Sequence, residues 1–141
     1  MGGSCCSKKK MRMRVFLSGK EHQDWRGEIS DFLTQQHIDC IDPMSCPPEF
    51  SSLFKQLKTL ESCDLLIANF LGLHNRQLLS ILEISYASKL AKEIIIVDDI
   101  SLHKEWLERL PYSKLFVNLE EAKCYLDTFS ISGRRQARFF G

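Results

Sequence analysis

Several familiar features are missing from this chain. No apolar run approaches the roughly 18–20 residues of a membrane-spanning helix, and no hydrophobic core of a signal peptide is present. None of the six cysteines forms a C-x-x-C pair, and the four histidines (22, 37, 74, 103) are scattered, so a zinc-ligand spacing is lacking. These absences predict a reduced, intracellular protein with buried or lipid-modified thiols and no metal site. There is also no G-x-G-x-x-G, no G-x-x-x-x-G-K-[ST] and no G-x-S-x-G. A dinucleotide fingerprint, a P-loop and a nucleophile elbow are thereby excluded, and no cofactor is implied.

What is present is a single ordinary domain. The 141 residues, 44% hydrophobic and 26% charged, are enough for a real core. The net charge of +1 hides an uneven distribution. Lys8, Lys9, Lys10, Arg12, Arg14, Arg134, Arg135 and Arg138 lie at the ends with no acid among them. The stretch 15–133 then holds 11 Lys and Arg against all 18 Asp and Glu, a net charge of −7. An acidic body with basic ends does not suit nucleic acid. It suits ends that lie on an anionic membrane, the plainer alternative being solvated tails.

The first ten residues, MGGSCCSKKK, place Gly2 after Met1, then Cys5 and Cys6, then a lysine run. Myristoylation favours M-G-x-x-x-[ST], and here that last position is Cys6, with Ser7 one residue late. An acyl chain on Gly2, palmitoyl groups on Cys5 and Cys6, and the lysines would together supply the two or more signals that stable anchoring needs. The expected organisation is a basic, lipid-anchored tail over 1–13, an α/β domain over 14–129 and a basic tail over 130–141. The resulting location is the cytoplasm or the cytoplasmic face of a membrane.

Along the body, apolar strands alternate with amphipathic helices. Strands are predicted at Arg14–Gly19, Ile38–Met44, Asp64–Phe70, Glu93–Val97 and Lys114–Asn118. Helices are predicted near Trp25–His37 (capped by Asp24), Ser51–Cys63, Leu78 onward, Leu102–Leu110 and Leu119–Phe129. Near-uniform apolar strands separated by helices argue for a doubly wound parallel sheet with helices on both faces. Five strands in this length suit the flavodoxin-like order 2-1-3-4-5.

Leu78–Asp99 carries the chemistry. On a helical wheel Leu79, Tyr86, Ala87 and Leu90 cluster on one side and Ser85, Ser88 and Lys92 on the other. Glu83 falls in the middle of the apolar side. A buried carboxylate is paired, protonated or put to use, so a core-edge ion pair and a catalytic acid are both open. In open parallel sheets ligands bind beyond the carboxyl ends of the strands, near the switch between strands 1 and 3. That rule selects Ser18–Arg26, Asn69–Gln77 and Asp98–His103, with Glu83 beside them. Within these loops His22 is either a base or a surface residue. Asp98-Asp99 is either a cation site or a cap or turn.

These residues resemble a known family. The pattern of a strand ending in A-N, a helix with E-x-x-Y-A and then K-x-I-I-x-V is similar to the nucleoside 2-deoxyribosyltransferase superfamily. Glu83, Ser85, Ala87 and Lys92 match its E-x-G-x-A-x-x-x-x-K helix, with Ser85 in place of glycine. Leu17–Ile29, LSGKEHQDWRGEI, resembles the YtoQ-like branch and its S-G-x-x-H-x-x-W-R-x-E-I. The resemblance implies a glutamate nucleophile, Glu83, that attacks the anomeric carbon of a nucleoside, nucleotide or related ribosyl compound. It implies ligand contacts from Ser18, Gly19, His22, Trp25, Arg26, Asn69, Asn75 and Tyr86. Arg26 would meet a 5′-phosphate, while Trp25 would stack on a base or serve the core. It also implies a homo-oligomer, since relatives complete their sites across dimer interfaces. A second family carboxylate falls on Gln56, a departure that favours a non-catalytic nucleotide sensor tethered to a membrane. VFLSG, QQHIDC and a glutamate on a central helix also fit a TIR-like, NAD-cleaving plan.

Overall fold

A computed structural model describes residues 12–19, 23–45, 53–72, 78–99, 104–105 and 107–129. The strands are β1 (Arg14–Gly19), β2 (Asp39–Ile41), β3 (Leu65–Asn69), β4 (Glu93–Val97) and β5 (Lys114–Phe116). The helices are α1 (Gln23–Gln35), α2 (Leu53–Leu60), α3 (Leu78–Lys89) and α4 (Leu119–Asp127). A 3-10 turn occupies Pro43–Ser45, and Lys104, Glu105 and Leu107 are also helical. All neighbouring strands are parallel, in the order β2-β1-β3-β4-β5 expected from the sequence. Among the described residues no helix is long and apolar enough to cross a membrane.

The central strands are buried on both faces, which is why they read as continuous apolar runs. Val15, Leu17, Leu65, Ile67, Ile95 and Val97 face Trp25, Ile29 and Leu33 of α1 and Ala122 and Leu126 of α4. Phe16, Leu66, Ala68, Ile94 and Ile96 face the other way, against Leu60 of α2, Ile84 and Ala87 of α3, and Leu107. One strand thus serves two cores through its period of two.

The element ends differ from the sequence expectation for local reasons. β2 stops at Ile41 because Pro43 opens the 3-10 turn. β5 stops at Phe116 because Asn118 turns to cap α4, accepting from the Glu121 N–H at 2.9 Å. Asp24 is not the cap of α1 but sits inside its first turn, where a negative charge suits the helix dipole. α1 and α3 end alike, with His37 (φ 61°) and Ala91 (φ 60°) in the left-handed region. The Ile38 N–H then bonds Leu33 O at 2.9 Å, and the Lys92 N–H bonds Ala87 O at 2.9 Å. These are Schellman closures made without glycine.

Candidate functional site

The carboxyl ends of β1 and β3 and the first turns of α3 meet in one place. Glu83 on α3 is only 2% exposed, and Ser18, next to last in β1, is 1% exposed. Ser18 Oγ donates to Glu83 Oε1 at 2.6 Å. Glu83 Oε2 is buried and finds no partner among the described residues. Burial pushes the carboxyl up to about 7, while the Ser18 hydrogen bond and the Arg26 charge pull the other way. The group is therefore a buried carboxylate with one oxygen held by Ser18 and the other without a partner among the described residues. Near neutral pH it is poised between its two protonation states.

Gly19 fixes how closely the elements approach. Its φ is +101°, and a Cβ there would lie 2.3 Å from the backbone oxygen of Asn69. Only glycine fits that turn out of β1. Its N–H donates to Ser80 Oγ at 3.0 Å, and its carbonyl accepts from Arg26 Nη2 at 3.3 Å. Ser80 stands three residues before Glu83, so both face β1 from one side of α3.

Arg26 is buried, and its Nη1 bonds Asp42 Oδ1 at 2.6 Å. The same carboxylate oxygen accepts from the Met44 N–H at 3.0 Å, which ties the end of β2 to α1. The guanidinium expected to meet a 5′-phosphate is thus engaged with Asp42 and the Gly19 carbonyl. Trp25 takes the core alternative: it is buried among the α1-side residues, with Arg26 Cζ 5.2 Å from its ring centroid.

Asn69 ends β3 in register with Gly19. Its Oδ1 accepts from the Leu71 N–H at 3.0 Å, while its buried Nδ2 finds no partner among the described residues. Tyr86 points away from this group. Its hydroxyl donates to Glu61 Oε2 at 2.7 Å, beyond the end of α2 and at the opposite edge of the sheet. Asp98, fully buried, turns inward to accept from the Asp99 N–H at 2.7 Å. Gln56 is buried in α2. His22, Asn75, Gly2, Cys5 and Cys6 lie outside the described residues.

The structure therefore brings Ser18, Gly19, Arg26, Asn69 and Glu83 to one end of the sheet and leaves Tyr86 elsewhere. Sequence reasoning missed Ser80 and Asp42. Ser80 could have been found from its spacing of three to Glu83 on the inward face. Asp42 could have been found as an acid at the carboxyl end of a strand. A buried acceptor and a buried donor without partners among the described residues at a sheet's carboxyl edge are groups that a polar ligand could satisfy. An ionised Glu83 there can act as base or nucleophile.

No family model and no curated protein sequence matches this chain. Solved structures do. A 2-desoxiribosyltransferase from Leishmania mexicana superposes with a TM-score of 0.62 at 12% identity, over 82% of this chain and 97% of that one. A CMP N-glycosidase from Clostridium botulinum gives 0.57 at 19% identity, over 81% and 98%. A response regulator receiver domain from Clostridium thermocellum gives 0.55 at 11% identity, over 90% and 98%. At these identities the likeness shows a shared fold, one that N-glycosidic enzymes and receiver domains both use.

Proposed function

We propose that the protein is an N-glycosidic enzyme, a hydrolase or (deoxy)ribosyltransferase acting on a nucleoside, nucleotide or related ribosyl compound, with Glu83 as nucleophile. The observation that carries this reading is the buried Glu83 near the carboxyl ends of β1 and β3, with one oxygen held by Ser18 and the other without a hydrogen-bond partner among the described residues. The fold shared with a 2-desoxiribosyltransferase and a CMP N-glycosidase is compatible with it, but a receiver domain shares that fold too. Glu83 is what favours the glycosidic chemistry. Membership of the YtoQ-like branch rests on the Leu17–Ile29 motif and remains part of the proposal.

In the hydrolytic form, a lone pair of the carboxylate attacks the anomeric carbon as the C–N bond breaks. The base leaves with the bonding pair and takes a proton from solvent. Water then attacks the same carbon, the carboxylate departs, and the surplus proton returns to solvent. A transferase replaces that water by an acceptor base. The test is incubation of wild type and Glu83→Ala with nucleosides, nucleotides and NAD, followed by chromatography for free base. Release by wild type alone supports the proposal. No release from either moves the weight to a nucleotide sensor.

The basic flanks are proposed to meet an anionic lipid surface. β1 starts, and α4 ends, at the sheet edge opposite Glu83: Tyr125 near the end of α4 donates to Glu93, which opens β4. Contacts made there would lie away from the Glu83 end of the sheet. Co-sedimentation with phosphatidylserine vesicles, lost when Lys8–Lys10 and the three C-terminal arginines become alanine, is the expected result. Equal binding to neutral vesicles would contradict it.

A further inference from the structure

We propose that Ser18 is a positioning residue for Glu83: by donating to Oε1, its hydroxyl leaves Oε2 as the oxygen that meets the anomeric carbon. This rests on the N-glycosidic reading above.

Side chains alternate along β1, so Ser18 shares the face of Phe16, the face on which α3 packs. A larger residue at 18 would push α3 away, whereas serine brings a hydroxyl to 2.6 Å from Oε1 with both residues buried. A second bond, from the Gly19 N–H to Ser80 Oγ at 3.0 Å, joins the same two elements one turn earlier on α3. Two adjacent anchors fix the helix on the strand end. The inner anchor also restricts the glutamate torsions that would otherwise let its two oxygens exchange.

The two oxygens then differ chemically. Oε1 shares its electron density with a donor, whereas Oε2, without a partner among the described residues, keeps its lone pairs for attack. When the C–O bond forms through Oε2, Oε1 becomes the ester carbonyl and still accepts from Ser18. When water displaces the carboxylate, the bonding pair returns to Oε2 and the same hydrogen bond meets the recovered charge. Ser18 thus acts in both half-reactions without touching the sugar.

The test compares wild type, Ser18→Ala and Ser18→Thr by two readouts. The first is the Glu83 carboxyl titration, followed by carbon NMR and assigned with Glu83→Gln. The wild-type midpoint is expected near 7. Loss of the hydroxyl should raise it by roughly one to two pH units, and threonine should restore it. The second readout is base release. In Ser18→Ala, kcat at pH 7 should fall on the order of 10- to 100-fold with KM within about twofold, and the rising limb of the pH profile should move alkaline. A moved titration in a protein that never releases base keeps the Ser18 contact and overturns the glycosidic reading. Base release with an unmoved titration and an unmoved pH profile in Ser18→Ala overturns the Ser18 proposal. No base release and no shift overturns both.

Discussion

α3 and α4 lie on opposite faces of one sheet and differ in what they bury. α4 is built in the ordinary way. Asn118 caps it, Glu120 and Glu121 occupy its first turn, and Ala122 and Leu126 are buried. Lys123 on its outer side pairs with Glu28 of α1 and with Glu120. α3 keeps the pattern at Ile84 and Ala87, which are buried, but breaks it elsewhere: Ser80 and Glu83 are buried too, while Leu78 is 79% and Leu82 46% exposed. Exchanging those positions would give a helix that solvent and core both prefer. A helix that buries a carboxylate and shows leucine to water fits the role proposed for Glu83, since local rules tend to break at functional sites.

The contrast can be tested by substitution. The largest effect is expected in α4, where Leu126→Ala removes a fully buried side chain and should cost about 2–5 kcal/mol in chemical denaturation. The Glu83 titration should not move, because Leu126 packs on the other face of the sheet. Should it move, the two faces are coupled.

In α3 the sign reverses. The folded carboxyl titrates near 7 against about 4.5 in an ordinary setting, so it is raised. The folded state therefore prefers the protonated form. Relative stability is full below about 4.5 and is lost as the pH rises through about 7. Glu83→Gln carries no such linkage. Its advantage over wild type should grow across that interval and level off at about 3 kcal/mol, read from denaturation at pH 4, 6 and 8. A difference independent of pH would show that Glu83 is not buried as an acid.

Smaller effects sharpen the comparison. Asn118→Ala should lose about 1 kcal/mol by removing the cap of α4. Leu78→Gln should change stability by no more than about 0.5 kcal/mol, since the side chain touches mostly water. A larger loss there would mean that another surface covers this side of α3.

Much of the architecture was legible because the strands are continuous apolar runs separated by helical periodicity. β4 falls on Glu93–Val97 as expected, and the strand order follows from length and right-handed crossovers. Boundaries were less legible where one residue changes the local conformation, as Pro43 does after β2 and Asn118 after β5. Glu83 stood out because a charge on an apolar stripe is a local signal. Its Ser18 contact did not, being a pairing across 65 residues. The Arg26–Asp42 pair, between residues of different elements, was not legible either. Tyr86 was expected at the site from the family resemblance. One turn along α3 is enough to carry its hydroxyl to Glu61 at the other edge.

The most direct test of the central claim is a mass measurement after incubation with 2′-fluoro-arabinosyl nucleosides, whose electron-withdrawing fluorine slows release of a glycosyl-enzyme. The account predicts a mass gain of one fluorosugar on the peptide containing Glu83, absent from Glu83→Gln. Base release accompanied by an adduct on a different residue, or by no adduct at all, would contradict it.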